Sequence, residues 1–129
     1  MRISAYEEGG LMDHLMNTFK LLSDETRLRV VMLLQQEELC VCQITGITGI
    51  AQPKVSKALS KLRDLGLVDD RRVDKFVYYK LKKQEDLLST ITDHILLTVK
   101  MHPVLKEDQK RLSIKEDFLM SCNNTQIRL

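Results

Sequence analysis

Leu11, Met12, Leu15, Met16, Phe19 and Leu22 recur at the three- and four-residue steps of an α-helix. That spacing predicts a first amphipathic helix of about three turns. Ser23 and Asp24 then offer N-cap oxygens, with Glu25 in the following turn, for a second helix that buries Leu28, Val31, Met32 and Leu34 and ends near Gln36. Residues 38–47 have room for a short helix, with Gly46 and Gly49 lowering helix propensity and marking a turn. From Gln52 and Pro53 a further helix carries Val55, Leu59, Leu62 and Leu65 on one side and closes at Gly66. Residues 67–73 and 76–81 are rich in β-branched and aromatic positions and flank a tight turn at Asp74–Lys75, the pattern of a hairpin. Such a hairpin is marginal alone and must pack on helices.

A long helix is expected from about 85 to 101, stopped or kinked at His102–Pro103. Its apolar residues, Leu87, Leu88, Ile91, Ile95, Leu96, Leu97 and Val99, cover more than one stripe, so part of its surface should meet a second subunit. The stretch after Pro103 reads as a polar tail up to Leu112. Ser113 and Glu116 then have the spacing of a capping box for a last short helix through Phe118, Leu119 and Met120. Residues 1–103 are thus read as one domain and 104–129 as a C-terminal tail.

With 129 residues, 43% hydrophobic and 29% charged, the composition fits one small globular domain and excludes a disordered or collagen-like chain. The apolar runs are too short to span a bilayer, and residues 1–10 lack the pattern of a secretory signal, so no membrane association and a cytoplasmic location are expected. Three cysteines, two of them one residue apart, favour free or metal-bound thiols over a disulfide framework.

Charge is unevenly spread. Residues 51–83 hold ten Lys and Arg against four Asp and Glu, a local +6, which leaves −4 for the rest of a chain whose total is +2. A basic middle between acidic flanks suits a phosphate-binding surface, and a merely solvated charged face would look the same. The helix face opposite Val55 and Leu59 carries Gln52, Lys54, Ser56, Lys57, Ser60 and Lys61, all hydrogen-bond donors and none a large apolar group.

Cys40 and Cys42 precede that basic helix. Residues two apart on an α-helix diverge by roughly 200°, so two sulfurs held in one helix cannot face a shared ion without distorting it. Each cysteine read alone could equally be a small buried hydrophobe. A cysteine nucleophile would need a nearby base, yet His14, His94 and His102 lie on flanking helices, and the chain has neither a phosphate-binding glycine loop nor a paired-histidine zinc motif. Catalysis is therefore not expected.

The order helix, helix, short helix, turn, basic helix, hairpin, long helix is that of a winged helix-turn-helix, mostly α with a β-hairpin wing. Four stretches carry a closer resemblance: LLSDETRLR from Leu21, ELCVCQI from Glu38, QPKVSKAL from Gln52, and LGLV from Leu65 leading to Tyr78-Tyr79-Lys80-Leu81. Together they resemble the ArsR/SmtB family of bacterial metalloregulators, over roughly residues 15–99. The Leu-Cys-Val-Cys run is similar to its arsenic-responsive branch. The resemblance implies a homodimeric repressor released from double-stranded operator DNA by As(III) or Sb(III), with no permanently bound cofactor. It implies Cys40 and Cys42 as thiolate ligands, soft donors suited to a thiophilic ion. Where that branch often has a third cysteine, this chain has Thr45; Cys122 is the remaining thiol, either a third ligand or an ordinary tail cysteine. The family's zinc pattern is not met, because Asp93 and His94 are adjacent and lack a matching downstream histidine.

On the same resemblance, Gln52, Lys54, Ser56, Lys57 and Ser60 meet base edges or nearby phosphates, and Lys61, Arg71, Arg72 and Lys75 mainly phosphates. Two alternatives remain in view: a thiol-based redox or reactive-sulfur sensor pairing Cys40 or Cys42 with Cys122, and a protein-interaction module that has kept the fold without binding DNA.

Overall fold

A computed structural model describes residues 5–84 and 86–119. The elements are α1 (Ala5–Leu22), α2 (Glu25–Gln36), β1 (Leu39–Cys40), α3 (Val41–Thr48), α4 (Gln52–Asp64), β2 (Val68–Val73), β3 (Phe76–Leu81), α5 (Leu87–Leu97), a 3-10 turn (Val99–Met101) and α6 (Pro103–Leu112). The core is aliphatic. Val30, Val31, Leu33 and Leu34 of α2 are packed with Leu39, with Ile44 and Ile47 of α3, and with Val55, Leu59 and Leu62 of α4.

Local chemistry fixes most boundaries where expected. Asp24 caps α2 by accepting the Arg27 N–H at 3.0 Å, and Pro53 stands in the first turn of α4, where a missing N–H costs nothing. Gly66 takes φ +71° just past α4, and Leu67 N–H returns to Leu62 O at 2.9 Å. The hairpin pairs Val68 with Leu81 through to Val73 with Phe76, and Asp74 occupies the left-handed region at φ 56° in its turn.

Four expectations are corrected. The first helix begins at Ala5, a turn and a half before its apolar spacing starts. The stretch 38–47 is not all helix: Leu39 and Cys40 form a strand that pairs antiparallel with β3, Leu39 opposite Tyr79 and Cys40 opposite Tyr78, giving the sheet order β1-β3-β2. The long helix ends at Leu97. Thr98 Oγ1 donates to the carbonyls of His94 and Ile95, and Thr98 N–H closes on Ile95 O at 3.0 Å, tightening the chain into the 3-10 turn.

The fourth concerns the polar stretch after Pro103, which is a helix with Pro103 in its first turn. Leu105, Asp108 and Leu112 form its buried side. Ser113 follows this helix as its C-cap, its hydroxyl donating to Lys110 O, so it starts no new helix. Residues 117–119 make one further helical turn; the expected start at Glu85 and continuation to Met120 lie outside the described residues.

Candidate thiol site and nucleic-acid interface

Cys40 stands at a joint. It is the last residue of β1 and the N-cap of α3, with extended backbone at φ −95° and ψ 169°, and its side chain is 2% exposed. Its sulfur receives the backbone N–H of Gln43, while Cys40 N–H donates to Gln43 Oε1 at 3.1 Å, a capping box built with a thiol in place of a hydroxyl. Because Cys40 lies outside the helix, the 200° divergence expected of two helical cysteines does not apply. A shared ligand would instead load the strand-to-helix joint.

Burial pushes the Cys40 thiol up, the amides of Gln43 and Cys42 pull it partly back, and the Glu116 carboxylate adds to the rise. Its resting form near neutrality is the thiol. Cys42, in the first turn of α3 and half-buried, is disulfide-bonded, whereas Cys40 is free. The expectation of free thiols therefore holds for Cys40 and not for Cys42, the more accessible of the two. Cys122 lies outside the described residues.

The joint is tied to the wing. Glu38, two residues before Cys40, accepts two hydrogen bonds from Arg71 of β2, from Nε and from Nη2, each at 2.7 Å. Arg71 holds the Glu38 carboxyl below its usual range and lies 6.0 Å from the Tyr78 ring centroid, across the sheet from Cys40. Tyr78 is itself raised, first by burial and then by Cys40 and Glu116 nearby.

The basic face forms as its spacing implied. Val55, Ala58, Leu59 and Leu62 of α4 are buried, Lys54, Lys57, Ser60 and Lys61 are exposed, and Gln52 and Ser56 are half-buried at its edge. Arg72 and Lys75 are exposed on the wing, with Lys75 Nζ 5.9 Å from the Phe76 ring centroid. Arg71 differs from them in being committed to Glu38. Asp93 on α5 accepts from Gln35, and among the described residues no cluster of three His, Cys, Asp or Glu is placed to hold a metal ion. No described helix is long and apolar enough to cross a membrane.

The other end of α3 is held by residues from α2 and α6 that were not singled out from the sequence. Gly49 ends it at φ 75°, and two arginines cap its last carbonyls: Arg29 Nη2 donates to Thr48 O at 2.8 Å and Arg111 Nη1 to Ile47 O at 3.3 Å. Arg29 is fixed in turn by a bidentate pair to Asp108 of α6, Nε to Oδ2 and Nη2 to Oδ1, both 2.9 Å, and Asp108 is 3% exposed. Hydrogen bonding to Asp108 holds the Arg29 guanidinium above its ordinary value. The only prior signal was an aspartate set between two leucines at helical spacing.

Comparison with known proteins bears on this geometry. Residues 24–70 match the family model described as bacterial regulatory protein, arsR family. The arsenic resistance transcriptional regulator ArsR1 of Pseudomonas putida is 47% identical over 64 residues, 49% of this chain and 50% of that protein. The arsenical resistance operon repressor of Escherichia coli is 48% identical over 64 residues, 49% of this chain and 55% of its own length. The chain thus spans about half the length of the curated relatives it matches. Among solved structures, the homodimeric winged helix-turn-helix DNA-binding domain Mb0332 of Mycobacterium bovis superposes with a TM-score of 0.61 at 25% identity, covering 79% of this chain and 93% of that one.

Proposed function

We propose, from the match of residues 24–70 to the arsR family of bacterial regulatory proteins, that this chain is a homodimeric, cytoplasmic transcriptional repressor that binds double-stranded operator DNA. In this reading it releases the DNA when reduced Cys40 and Cys42 capture As(III) or Sb(III). One observation carries the reading: the two cysteines lie where the wing strand β1 becomes α3, one short helix ahead of the exposed basic face of α4.

Gln52, Lys54, Ser56, Lys57 and Ser60 would meet base edges and adjoining phosphates in the major groove, with Lys61, Arg72 and Lys75 on the backbone. Arg71 would reach phosphate only by leaving Glu38. Capture of a thiophilic ion replaces thiol protons with bonds to sulfur, so the Cys40 sulfur would give up its place in the capping box. The Cys40–Tyr78 pairing on one side and the first turn of α3 on the other would then shift, and with them α4 relative to the groove. Cys122 is proposed as a third thiolate. Support comes from Phe118, four residues earlier, whose ring lies on Gly46, one helical turn from Cys42.

The second subunit is expected to cover α1 and the end of α5, where Met12, Met16, Phe19 and Leu97 are 45–85% exposed. The Mb0332 domain, described as homodimeric, supports this. A redox reading is favoured by one specific fact, the disulfide at Cys42: oxidation of two thiols to a disulfide, with two electrons and two protons passing to an oxidant, would alter the same joint.

Fluorescence anisotropy of the reduced protein on DNA from upstream of its own gene, titrated separately with arsenite, zinc and a disulfide-forming oxidant, tests both. Release by arsenite, lost in Cys42→Ser while operator binding is kept, is the expected result. Release by oxidant alone would select the redox reading, and absence of binding to that DNA would defeat the repressor reading.

A further inference from the structure

We infer that residues 103–118 hold the helix-turn-helix in its DNA-reading posture, and that Gly46 and Phe118 are positioning residues for operator binding through the packing of the Phe118 ring on α3.

This segment touches α3 along its whole length. At the start of α3, Gln43, 1% exposed, donates from Nε2 to Lys115 O at 3.4 Å, and Lys115 is paired with Glu37. In the middle, a Cβ on Gly46 would fall within the van der Waals radii of Phe118 Cβ, Cγ and Cδ1. Glycine is required there by close approach, not by backbone conformation. At the far end, Arg111 of α6 caps Ile47 O, and Asp108 of α6 fixes the Arg29 that caps Thr48 O. Thr48 is followed by Gly49, Ile50 and Ala51, the turn that sets the start of α4. One segment therefore grips both ends and the middle of the helix that aims the basic face.

Ordinary stabilisation of α3 would not need glycine at 46, since alanine is the better helix former. The glycine is explained by the ring that lies on it. Removing the ring, or filling its seat, should let α3 and the turn after it move without touching any residue of the DNA face.

The inference rests on the repressor reading, and the test separates the two. Full-length wild type, Gly46→Ala, Phe118→Ala and the double variant are compared for operator affinity by anisotropy, and for amide hydrogen exchange of residues 47–51 without DNA. Each single variant should weaken operator binding by roughly tenfold, the scale for loss of one coupled contact, and speed exchange in 47–51. The double variant, in which the new methyl has room, should recover thermal stability while its operator affinity stays low. Affinity within twofold of wild type for Phe118→Ala, or restored affinity in the double variant, would overturn the inference. Should Gly46→Ala not fold, Phe118→Ala alone decides. A wild type that does not bind DNA would defeat the repressor reading, and the exchange data would still show whether the segment holds the turn.

Discussion

The two ends of α3 are held by different chemistry. At its start a thiol stands in for the usual capping hydroxyl, backed by one glutamine and a two-residue strand. At its finish two guanidinium groups sit on the last carbonyls, one of them locked by a buried carboxylate. Sulfur is a weak acceptor, whereas charge-assisted bonds are about twice as strong as neutral ones. A ligand that takes the sulfur away removes the weakest bond at that end, while the end leading into α4 moves only as a unit with the rest of the helix. Weak and strong anchoring on one short helix is what a lever needs.

The largest effect that would break this contrast comes from Arg29→Ala. Asp108 would be left charged and buried without its partner, so a loss of about 3–5 kcal/mol is expected in denaturant titration. A loss below about 1 kcal/mol would mean that the far end is no better held than the near one. Next, Gln43→Ala removes the return half of the capping box and the bond to Lys115 O, and should cost about 1–2 kcal/mol. Cys40→Ser should change stability by less than about 1 kcal/mol, because serine is the better cap but buries a hydroxyl. A larger loss would show that the sulfur does more at this end than cap.

The smallest effect is one of pH. Burial raises Cys40 in the folded state, so the folded chain holds that proton more tightly than the unfolded chain does. The associated stability is complete below the ordinary thiol range and is lost as pH rises through the elevated value. Alkylation of Cys40 under native conditions should therefore stay slow through the ordinary thiol range and accelerate above it. Fast labelling at neutral pH would place a thiolate at the cap and reverse the assignment of its resting form.

Much of the basic half was legible because its residues follow one period. Val55, Leu59 and Leu62 repeat on α4, the hairpin has its turn at Asp74, and Asp24 is an N-cap by composition alone. Leu65, read as part of that stripe, is only half-buried, because it is the cap residue where α4 ends, and Ala58 takes a buried place. The strand β1 was not legible: two residues cannot display alternation, and their partners Tyr78 and Tyr79 lie far along the chain. Helix α6 was hidden by Asp108, a charge at a core position that makes sense only with Arg29 beside it, 79 residues away in sequence. The clasp between Glu38 and Arg71 escaped for the same reason, so Arg71 was read as a phosphate contact with no sign of the carboxylate it pairs with in the folded chain.

The strand order carries a consequence for how the chain behaves in a crowded solution. With β3 in the middle, the wing offers two outer borders to other molecules: β1, too short to template anything, and β2. Along β2 the run Asp69, Asp70, Arg71, Arg72 is exposed and alternates in sign by pairs, so a foreign strand laid against it would meet charge at four successive positions. The hairpin can thus project from the body of the protein without seeding aggregation.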